Sequence, residues 1–538
     1  MAAHEQAEIE RKYDVGAAAS VPDLTAAEGI STIEHLEPVT LTAVYFDTAN
    51  LDLAAHRIIL RRREGGHDEG WHIKKPAQEG RTELHWPLGK ARSALSKAPV
   101  PADVLDPVRV IVRDRALSPL ARISTVRTAL HLLDERGEAV AELADDVVSA
   151  SDVRGGTFRA WHEWEVELLP AAPDTKKGRS KLLDAIERVL VEAGATPSSS
   201  VAKVAQALGA DSLTDVVPEV VPGAAAAGQA ESAQAQAKAD AGSAGSVVVA
   251  AVRRLTAALE SIDPAARADE PDAVHQMRRA VRRLRSVLAT NRRLFDPEAV
   301  QALRDGLTWL GGSLGEARDI EVRGKRAATE VAALPAHRST AAVQARLVDG
   351  AHREYADAHK RARRVMSSPE YYRLLDSLAD FAAHPPLTER ASRPLARELR
   401  KALRRDVRRL RVRADTARTA GAGDREAALH DVRKATRRLR NAVDSIRPEA
   451  ASALGPKKRR TLRRISDEAK PVEKSLGERR DRVLFAQHLE AVSATANDAG
   501  EETFLYGMLT AGSERGPDAA ERNLDASVRR IGRLARTL

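Results

Sequence analysis

The sequence predicts a two-domain α+β protein in which a strand-rich first part precedes an all-helical second part. Short segments that alternate between apolar and charged residues dominate up to about residue 208, and a period of two is typical of strands. Residues 209–246 are rich in Ala, Gly, Ser and Gln, have little to bury and are typical of a linker. From 247 to 538 apolar residues recur at helical spacing. The predicted boundaries are therefore 1–208, 209–246 and 247–538.

The predicted strands of the first part are short and are bounded by turn residues. In the last of them Glu163, Glu165 and Glu167 share one face, because strand side chains alternate. Arg81 and Glu83 are in phase in the same way. The predicted strands span 40–47, 57–61, 70–74, 81–86, 139–143 and 161–168, and the predicted helices lie near 100–114 and 178–194.

Charged residues also share a face at the amino terminus, where Glu8, Glu10 and Lys12 alternate with other residues. A single strand of this kind is ordinarily a solvated amphipathic strand. Adjacent like charges repel, however, so exposure alone gives no reason to repeat them. If such strands curl with their charged faces inward, the carboxylates suit divalent cations and the Lys and Arg side chains suit phosphate. This combination is typical of phosphoryl transfer.

These motifs resemble the CYTH domain, the triphosphate tunnel metalloenzyme family. The family hallmark Glu-x-Glu-x-Lys matches Glu8, Glu10 and Lys12. The resemblance covers 1–208 and implies an eight-stranded antiparallel β-barrel, with flanking helices, whose tunnel binds a triphosphate with Mg²⁺ or Mn²⁺. Further matching blocks are Tyr45-Phe-Asp-Thr48, Leu60-Arg-Arg-Arg63, Trp71-His-Ile-Lys74 and Glu163-x-Glu165-x-Glu167-Leu168.

The resemblance also implies a role for each matching residue. Glu8, Glu10 and Lys12 would be catalytic, and the choice between Lys74 and the adjacent Lys75 stays open. The residues implied on the metal side are Glu8, Glu10, Glu142, Asp146, Glu163 and Glu165. The residues implied to bind phosphate are Lys12, Arg61, Arg63, Lys74, Arg81 and Arg127.

The helical part contains the same basic helix twice. The segment from His275 to Arg285 reappears from His430 to Arg440, and Leu-Gly-Glu-x-Arg-Asp follows each copy, which indicates a duplicated module. At about 100° per residue, His275, Arg278, Arg282 and Arg285 fall within an arc of roughly 80° on one helix face. Met277, Val281 and their apolar neighbours lie on the opposite side, so each copy is predicted to bury one face and to present a basic row. The segment 399–411 is a third basic helix, expected to serve as a supporting surface.

This half resembles the CHAD domain, an all-helical module of two pseudo-symmetric bundles that follows CYTH domains in many bacterial proteins. The resemblance covers 247–538 and implies binding of inorganic polyphosphate without catalysis. Predicted helix breaks lie at Pro264, Pro297, Pro385–Pro386, Gly421–Gly423 and Gly455–Pro456. The residues implied to bind polyphosphate are His275, Arg278, Arg282, Arg285 and Arg318 in the first repeat, and His430, Arg433, Arg437, Arg440 and Arg480 in the second.

Composition excludes several other classes of function. The chain has no cysteine, which excludes disulfides and thiolate sites. No segment is apolar and long enough for a signal peptide or a membrane span, so we expect a cytoplasmic protein without a membrane partner. After residue 244 there are 59 Lys and Arg against 40 Asp and Glu, a net charge of +19. Since only 3% of residues are aromatic, base stacking and hence nucleic-acid binding are disfavoured.

The sequence therefore predicts a metal-dependent triphosphatase joined to a polyphosphate-binding domain, with triphosphate and polyphosphate as ligands. The alternative is a polyphosphate-binding or granule-targeting protein whose tunnel binds a ligand without turnover. The sequence does not determine whether the tunnel is active, which triphosphate or metal it prefers, or the oligomeric state.

Overall fold

The computed structural model describes residues 4–88, 99–200, 202–209, 242–335, 340–451, 453–514 and 523–538. The chain forms two compact units, Met1–Ala224 and Ala225–Leu538. Most of the predicted linker, residues 210–241, lies outside the described residues. In the described part of the second unit, the first helix begins at Ala244, three residues before the predicted boundary at Val247.

The first unit is built on one antiparallel sheet. The predicted strands are observed, but the segment predicted at 139–143 is a longer strand that continues to Asp152. The 16-residue strand β8 is not among the segments predicted from the sequence. The strands are β1 His4–Glu8, β2 Glu10–Val15, β3 Thr32–His35, β4 Val39–Asp47, β5 Ile59–Glu64, β6 Gly70–Pro76, β7 Arg81–Pro87, β8 Ser118–Leu133, β9 Ala139–Asp152, β10 Phe158–Leu168 and β11 Thr196–Pro197.

The sheet curls until its two ends meet on the amino-terminal segment. Its strand order is β1-β7-β6-β5-β4-β8-β9-β10-β2-β11, with β3 beside β8. Only Ile9 separates β1 from β2, so the same stretch of chain pairs with β7 through its first half and with β10 through its second half. The concave face of this curled sheet can therefore hold side chains from all of its strands close together.

Apolar side chains on the convex face form the core of the first unit. Trp164 and Tyr13 are fully buried there against Ile186 and Leu190 of the helix α4 (Lys176–Glu192). Because side chains alternate along β10, this burial turns Glu163 and Glu165 to the concave face. The other helices of this unit are α1 Asp52–Ala55, α2 Ala102–Leu105, α3 Arg109–Val112 and α5 Lys203–Leu208, with 3-10 turns at Leu24–Ala26 and Asp106–Val108.

The second unit is helical. Its helices are α6 Ala244–Arg267, α7 Ala273–Asn291, α8 Pro297–Ala332, α9 Ala341–Gln344, α10 Gly350–Met366, α11 Pro369–Ala383, α12 Leu395–Thr419, α13 Ala422–Ile446, α14 Pro456–Asp498, α15 Phe504–Glu514 and α16 Leu524–Leu534. A π-helical turn spans Ala345–Asp349, and 3-10 turns span Arg292–Leu294 and Glu449–Ala451.

Two rings of four helices repeat the same arrangement. In the first ring α6 packs on α7, α7 on α8, α8 on α11 and α11 on α6. In the second ring α12, α13, α14 and α16 contact each other in the same cyclic order, and α7 packs against α13 between the rings. The predicted α+β fold, with an antiparallel sheet followed by paired helical bundles, is confirmed.

Burial inside the rings follows the predicted faces. Met277, Val281, Leu284 and Leu288 of α7 are all completely buried. Most of the predicted breaks fall between helices or at their first residue, but the break at Pro264 is wrong, because α6 continues through it to Arg267. No helix among the described residues is long and apolar enough to cross a bilayer.

Candidate functional site

A charged cavity of about 650 Å³ lies on the concave face of the sheet. Most of the residues that the sequence assigned to this site line it, although they come from eight different strands. The exceptions are Asp146 and Glu163, which are buried beside the cavity wall. The assigned residues that line the cavity are Glu8, Glu10, Lys12, Arg61, Arg63, Lys74, Arg81, Arg127, Glu142 and Glu165.

The amino-terminal motif is fixed by strand register. Lys12 lies directly opposite Glu165 on the neighbouring strand β10. Its ammonium group contacts Glu165 and lies 3.4 Å from Glu10. Burial opposes charge on both Glu10 and Lys12, but their mutual attraction prevails, so the pKa of Glu10 is lowered and that of Lys12 is raised. Both groups are therefore charged at neutral pH.

Three buried carboxylates form a cluster at one side of the cavity. Asp146, Glu163 and Glu165 each have an oxygen within 4.8 Å of the others. Arg127 lies opposite Asp146 across β8 and β9, donates to both of its oxygens at 2.7 and 2.8 Å, and reaches Glu165 at 2.9 Å. Carboxylate oxygens this close suit a divalent cation, which would supply Lewis acidity toward a phosphoryl oxygen.

Lys203, from the helix α5, occupies the middle of this acidic cluster. Its ammonium nitrogen lies 2.9 Å from Asp146, 2.5 Å from Glu163 and 2.6 Å from Glu165. Burial opposes its charge, but the three carboxylates raise its pKa well above the usual value. Lys203 thus supplies the positive charge that a cation would otherwise bring to these ligands. Nothing in the strand pattern pointed to it, because it follows the last long strand by 35 residues of loop and helix.

We expect Lys203→Met to make the stability of the protein depend on divalent cations. Removing one partner of a buried ion pair typically costs about 3 to 5 kcal/mol, because the remaining charges stay buried. A bound cation would offset that repulsion. Thermal denaturation with and without Mg²⁺ or Mn²⁺ tests this, with Lys181→Met, at an exposed ion pair with Glu28, as the control. Equal melting temperatures of the Lys203 variant in both conditions would contradict a cation site here.

Further cationic side chains line the cavity. Lys74 lines it and its ammonium contacts Glu8, whereas Lys75 does not line it. Glu8 Oε2 is buried and has no hydrogen-bond partner among the described residues, which leaves it free to accept another ligand. Burial, followed by repulsion from Arg61 and Arg127, lowers the pKa of Arg63 to about 9. An anion entering the cavity would relieve that repulsion.

The structure adds His72, Glu83 and Glu167 to the cavity wall. Burial, and then repulsion from Arg61, lowers the pKa of His72 to about 3. Its Nδ1 lies 2.8 Å from Glu83 and its Nε2 lies 3.0 Å from the carbonyl oxygen of Asp68. Burial, and then repulsion from Glu8, raises the pKa of Glu167 to about 7. The sequence already predicted that Glu83 shares a strand face with Arg81 and that Glu167 shares one with Glu165. It did not assign either glutamate to the site.

A second charged surface lies in the helical unit, where the two basic helices α7 and α13 pack against each other. Arg282 and Arg437, equivalent positions of the two copies, face each other there. Burial, and then repulsion from Arg437, lowers the pKa of Arg282 to about 10, and burial with repulsion from Arg433 lowers that of Arg437. Among the described residues, neither guanidinium group has a carboxylate within ion-pair distance. This meeting point therefore attracts anions strongly.

In each copy, the glycine of the duplicated Leu-Gly-Glu segment lies under an arginine of the basic helix. The basic side chains of the two helices, 275–285 and 430–440, are called the arginine rows. The Arg278 side chain crosses Gly315, where an added Cβ would lie 3.5 Å from its guanidinium, and donates to Asp319 at 2.7 Å. The Arg433 side chain crosses Gly477 in the same way, and an added Cβ there would lie at 3.2 Å. Both glycines thus leave room for a guanidinium group to lie flat on the neighbouring helix.

The other predicted members of the rows are half-buried. His275 and His430 each have a buried Nδ1 without a hydrogen-bond partner among the described residues. Burial, and then repulsion from nearby cations, lowers the pKa of both histidines. Arg318 pairs with Glu321 at 2.8 Å, and Arg440 pairs with Glu473 at 2.7 Å. Arg285 and Arg480 have no ion-pair partner among the described residues.

The fold and the two charged surfaces define a protein that combines a curled-sheet cavity of mixed charge with a duplicated, arginine-rich helical domain. Comparison with known families matches residues 6–196 to the CYTH domain and residues 250–490 to the CHAD domain. The chain belongs to the family of CYTH–CHAD proteins.

Two relatives match this chain over almost the whole length of both sequences. The uncharacterized proteins MT2285 and Rv2226 of two Mycobacterium tuberculosis strains are each 37% identical over 552 residues, covering 98% of this chain and 97% of theirs. Among solved structures, the CHAD domain of the plant Ricinus communis is 23% identical and covers 53% of this chain and 92% of its own, with a TM-score of 0.41. PptA from Streptomyces chartreusis is 20% identical and covers 55% and 100%, with a TM-score of 0.40.

Another solved structure that is similar to part of the chain is that of HpAC1 from Hippeastrum, for which a dominant triphosphatase activity is described. It is 21% identical and covers 38% of this chain and 95% of its own, with a TM-score of 0.23.

Proposed function

We propose that the first unit hydrolyses inorganic triphosphate, or a related triphosphate, with Mg²⁺ or Mn²⁺, and that the second unit binds inorganic polyphosphate. The observation that carries the first half is the convergence of carboxylates and cations on one cavity. Neither set alone suits a triphosphate, because its oxygens repel carboxylates unless a cation lies between them. The cavity supplies both.

The cationic and the acidic side chains of the cavity have separate parts in the proposed reaction. Arg61, Arg63 and Lys74 bind and orient the phosphate oxygens, since charged hydrogen bonds of this kind are strong and directional. Glu8, Glu10 and the cluster around Glu165 hold the divalent cation. A water molecule attacks the terminal phosphorus, the bond from that phosphorus to the bridging oxygen breaks, and a proton of the water leaves to solvent or to a carboxylate.

Polyphosphate binding by the second unit rests on the unpaired Arg282 and Arg437, which face each other between the two helix copies. Guanidinium groups bind phosphate oxygens through parallel hydrogen bonds. A flexible, densely charged chain can follow such a row without needing base-stacking side chains, which this domain has in small number. Both units therefore share one class of ligand.

A second candidate is a polyphosphate-binding or granule-targeting protein whose cavity binds a triphosphate without turnover. Lys203 favours it, because its ammonium group lies among the carboxylates that a divalent cation would use. Turnover requires that a cation share or take over those ligands.

A phosphate-release assay on the full chain distinguishes the two candidates. Triphosphate, ATP and long-chain polyphosphate are each supplied with Mg²⁺ and with Mn²⁺. We expect release from at least one triphosphate that EDTA abolishes, and tight retention of long-chain polyphosphate. Retention of both ligands without release under every condition would contradict the triphosphatase and leave the binding protein.

A further inference from the structure

A second cavity, of about 420 Å³, lies in the helical unit away from the helix pair α7 and α13. It is formed where the chain leaves α7, where α8 begins, and by the segment before α12. Four arginines, Arg292, Arg293, Arg304 and Arg390, converge on it together with Thr388, and no carboxylate of the described residues lines it. We call this cavity the arginine pocket.

The arginines of this pocket lack the partners that other arginines of the same unit have. Among the described residues, Arg292, Arg293 and Arg390 form no ion pair, and Arg304 donates only to the neutral side chain of Gln301, at 2.8 Å. Four positive charges around one concave space repel each other, and the fold itself offers nothing to offset that repulsion. An anion with several oxygens would.

The arginine pocket continues the arginine row of the first helix copy. Burial, followed by repulsion from Arg304, lowers the pKa of Arg285, the last member of that row. Arg438 of the second copy has its pKa lowered to about 10 by burial, and Arg304 and Arg292 both contribute after Arg409, against the attraction of Asp406. Arg285 at the end of the row therefore lies close enough to Arg304 of the pocket for the two charges to repel each other.

The two copies differ at this end of the row. Arg440, the equivalent of Arg285, pairs with Glu473 at 2.7 Å and approaches Asp444 at 3.4 Å. Beyond it Glu449 pairs with Arg254 at 2.5 Å. Carboxylates thus neutralise the row of the second copy, whereas the row of the first copy opens into unpaired arginines. The positive charge at this end is therefore less compensated in the first copy than in the second.

We propose that the arginine pocket is a second phosphate-binding site, which holds a distal segment of a linear polyphosphate whose central segment lies between Arg282 and Arg437. This proposal rests on polyphosphate binding by the second unit. It adds a site beyond the two arginine rows and extends the contacts of the bound polyphosphate past Arg285.

The test compares the full chain with a variant in which the four pocket arginines are changed to glutamine. Binding of long-chain polyphosphate is measured in EDTA over a range of salt concentrations. We expect affinity to fall about tenfold or more, and the dependence on salt to become shallower, because fewer counterions are released on binding. A milder variant, Arg304→Gln with Arg390→Gln, keeps the test valid if the fourfold variant folds poorly by circular dichroism.

The matched control removes the same charge from exposed positions of α14, with Arg459, Arg460, Arg463 and Arg464 changed to glutamine. We expect it to bind nearly as well as the unchanged protein. Equal losses in both variants would show that net charge alone matters and would overturn the pocket. Unchanged affinity in the pocket variants would overturn it as well, while leaving the proposed function intact. Failure of the unchanged protein to bind polyphosphate would overturn both proposals.

Discussion

The double substitution Glu8→Gln with Glu10→Gln is expected to reduce metal-dependent phosphate release from triphosphate by about a hundredfold or more. Glutamine keeps the size of each side chain but removes the negative charge that holds a divalent cation. Loss of a catalytic metal removes several kcal/mol of transition-state stabilisation, and about 1.4 kcal/mol corresponds to a factor of ten in rate. Initial rates with saturating triphosphate and with Mg²⁺ or Mn²⁺ provide the measurement.

The same strand offers a control for this experiment. Glu5 has the opposite strand phase to Gln6 and Glu8, is exposed and does not line the cavity. Glu5→Gln combined with Glu135→Gln, in an exposed turn, removes the same charge and should leave the rate unchanged. Full metal-dependent activity in the Glu8 and Glu10 variant would show that the cavity is not the site of hydrolysis. The variant should also lose the stabilisation by added cations, which is a readout independent of turnover.

Charge reversal of Arg278, Arg282, Arg433 and Arg437 to glutamate is expected to abolish polyphosphate binding, with a loss of affinity of about a thousandfold or more. Each phosphate contact releases counterions, so the loss of several contacts multiplies, and the new carboxylates repel the ligand. Helix content should be unchanged, since glutamate is a good helix former. Titration with long-chain polyphosphate at several salt concentrations, together with circular dichroism, provides the measurements.

Three comparisons make this result specific. The unchanged protein should bind polyphosphate far more tightly than duplex DNA at the same salt concentration. The charge-reversed protein should still hydrolyse triphosphate, because its substitutions lie in the other unit. Reversal of Arg459, Arg460, Arg463 and Arg464 should have a much smaller effect. Comparable affinity for DNA, or polyphosphate binding that survives the four substitutions, would show that the arginine rows are only a solvated helix surface.

Much of the fold could be predicted because it follows from local periodicity. Alternation placed Glu163 and Glu165 on one face of a strand and Trp164 on the other, and the structure buries Trp164 on the convex side. Helical spacing placed Met277 and Val281 in a core, where they are completely buried. The strand β8 was missed, because its apolar and polar residues alternate less regularly than those of β10.

For the candidate site, the sequence could predict which residues share a strand face, but not which residues of different strands meet. Lys12 meets Glu165 through pairing between strands that are about 150 residues apart in sequence, and no local pattern encodes that register. The choice between Lys74 and Lys75 depends on which side of β6 faces the cavity. Lys203 lies in a short helix after the long strands, so the alternation of strand side chains could not predict its contact with the carboxylates.

The sequence by itself determined the two-domain architecture, the charged faces of the strands and the duplicated basic helix. Each of these is visible as a periodicity along the chain: two residues in strands, 3.6 residues in helices, and the whole duplicated segment. Only the tertiary structure decided which charges meet. It placed Lys203 among three carboxylates, set Arg282 against Arg437, and left Arg285 unpaired where Arg440 is neutralised. Electrostatic energies depend on distances of a few ångströms between residues far apart in sequence, and those distances exist only after the chain has folded.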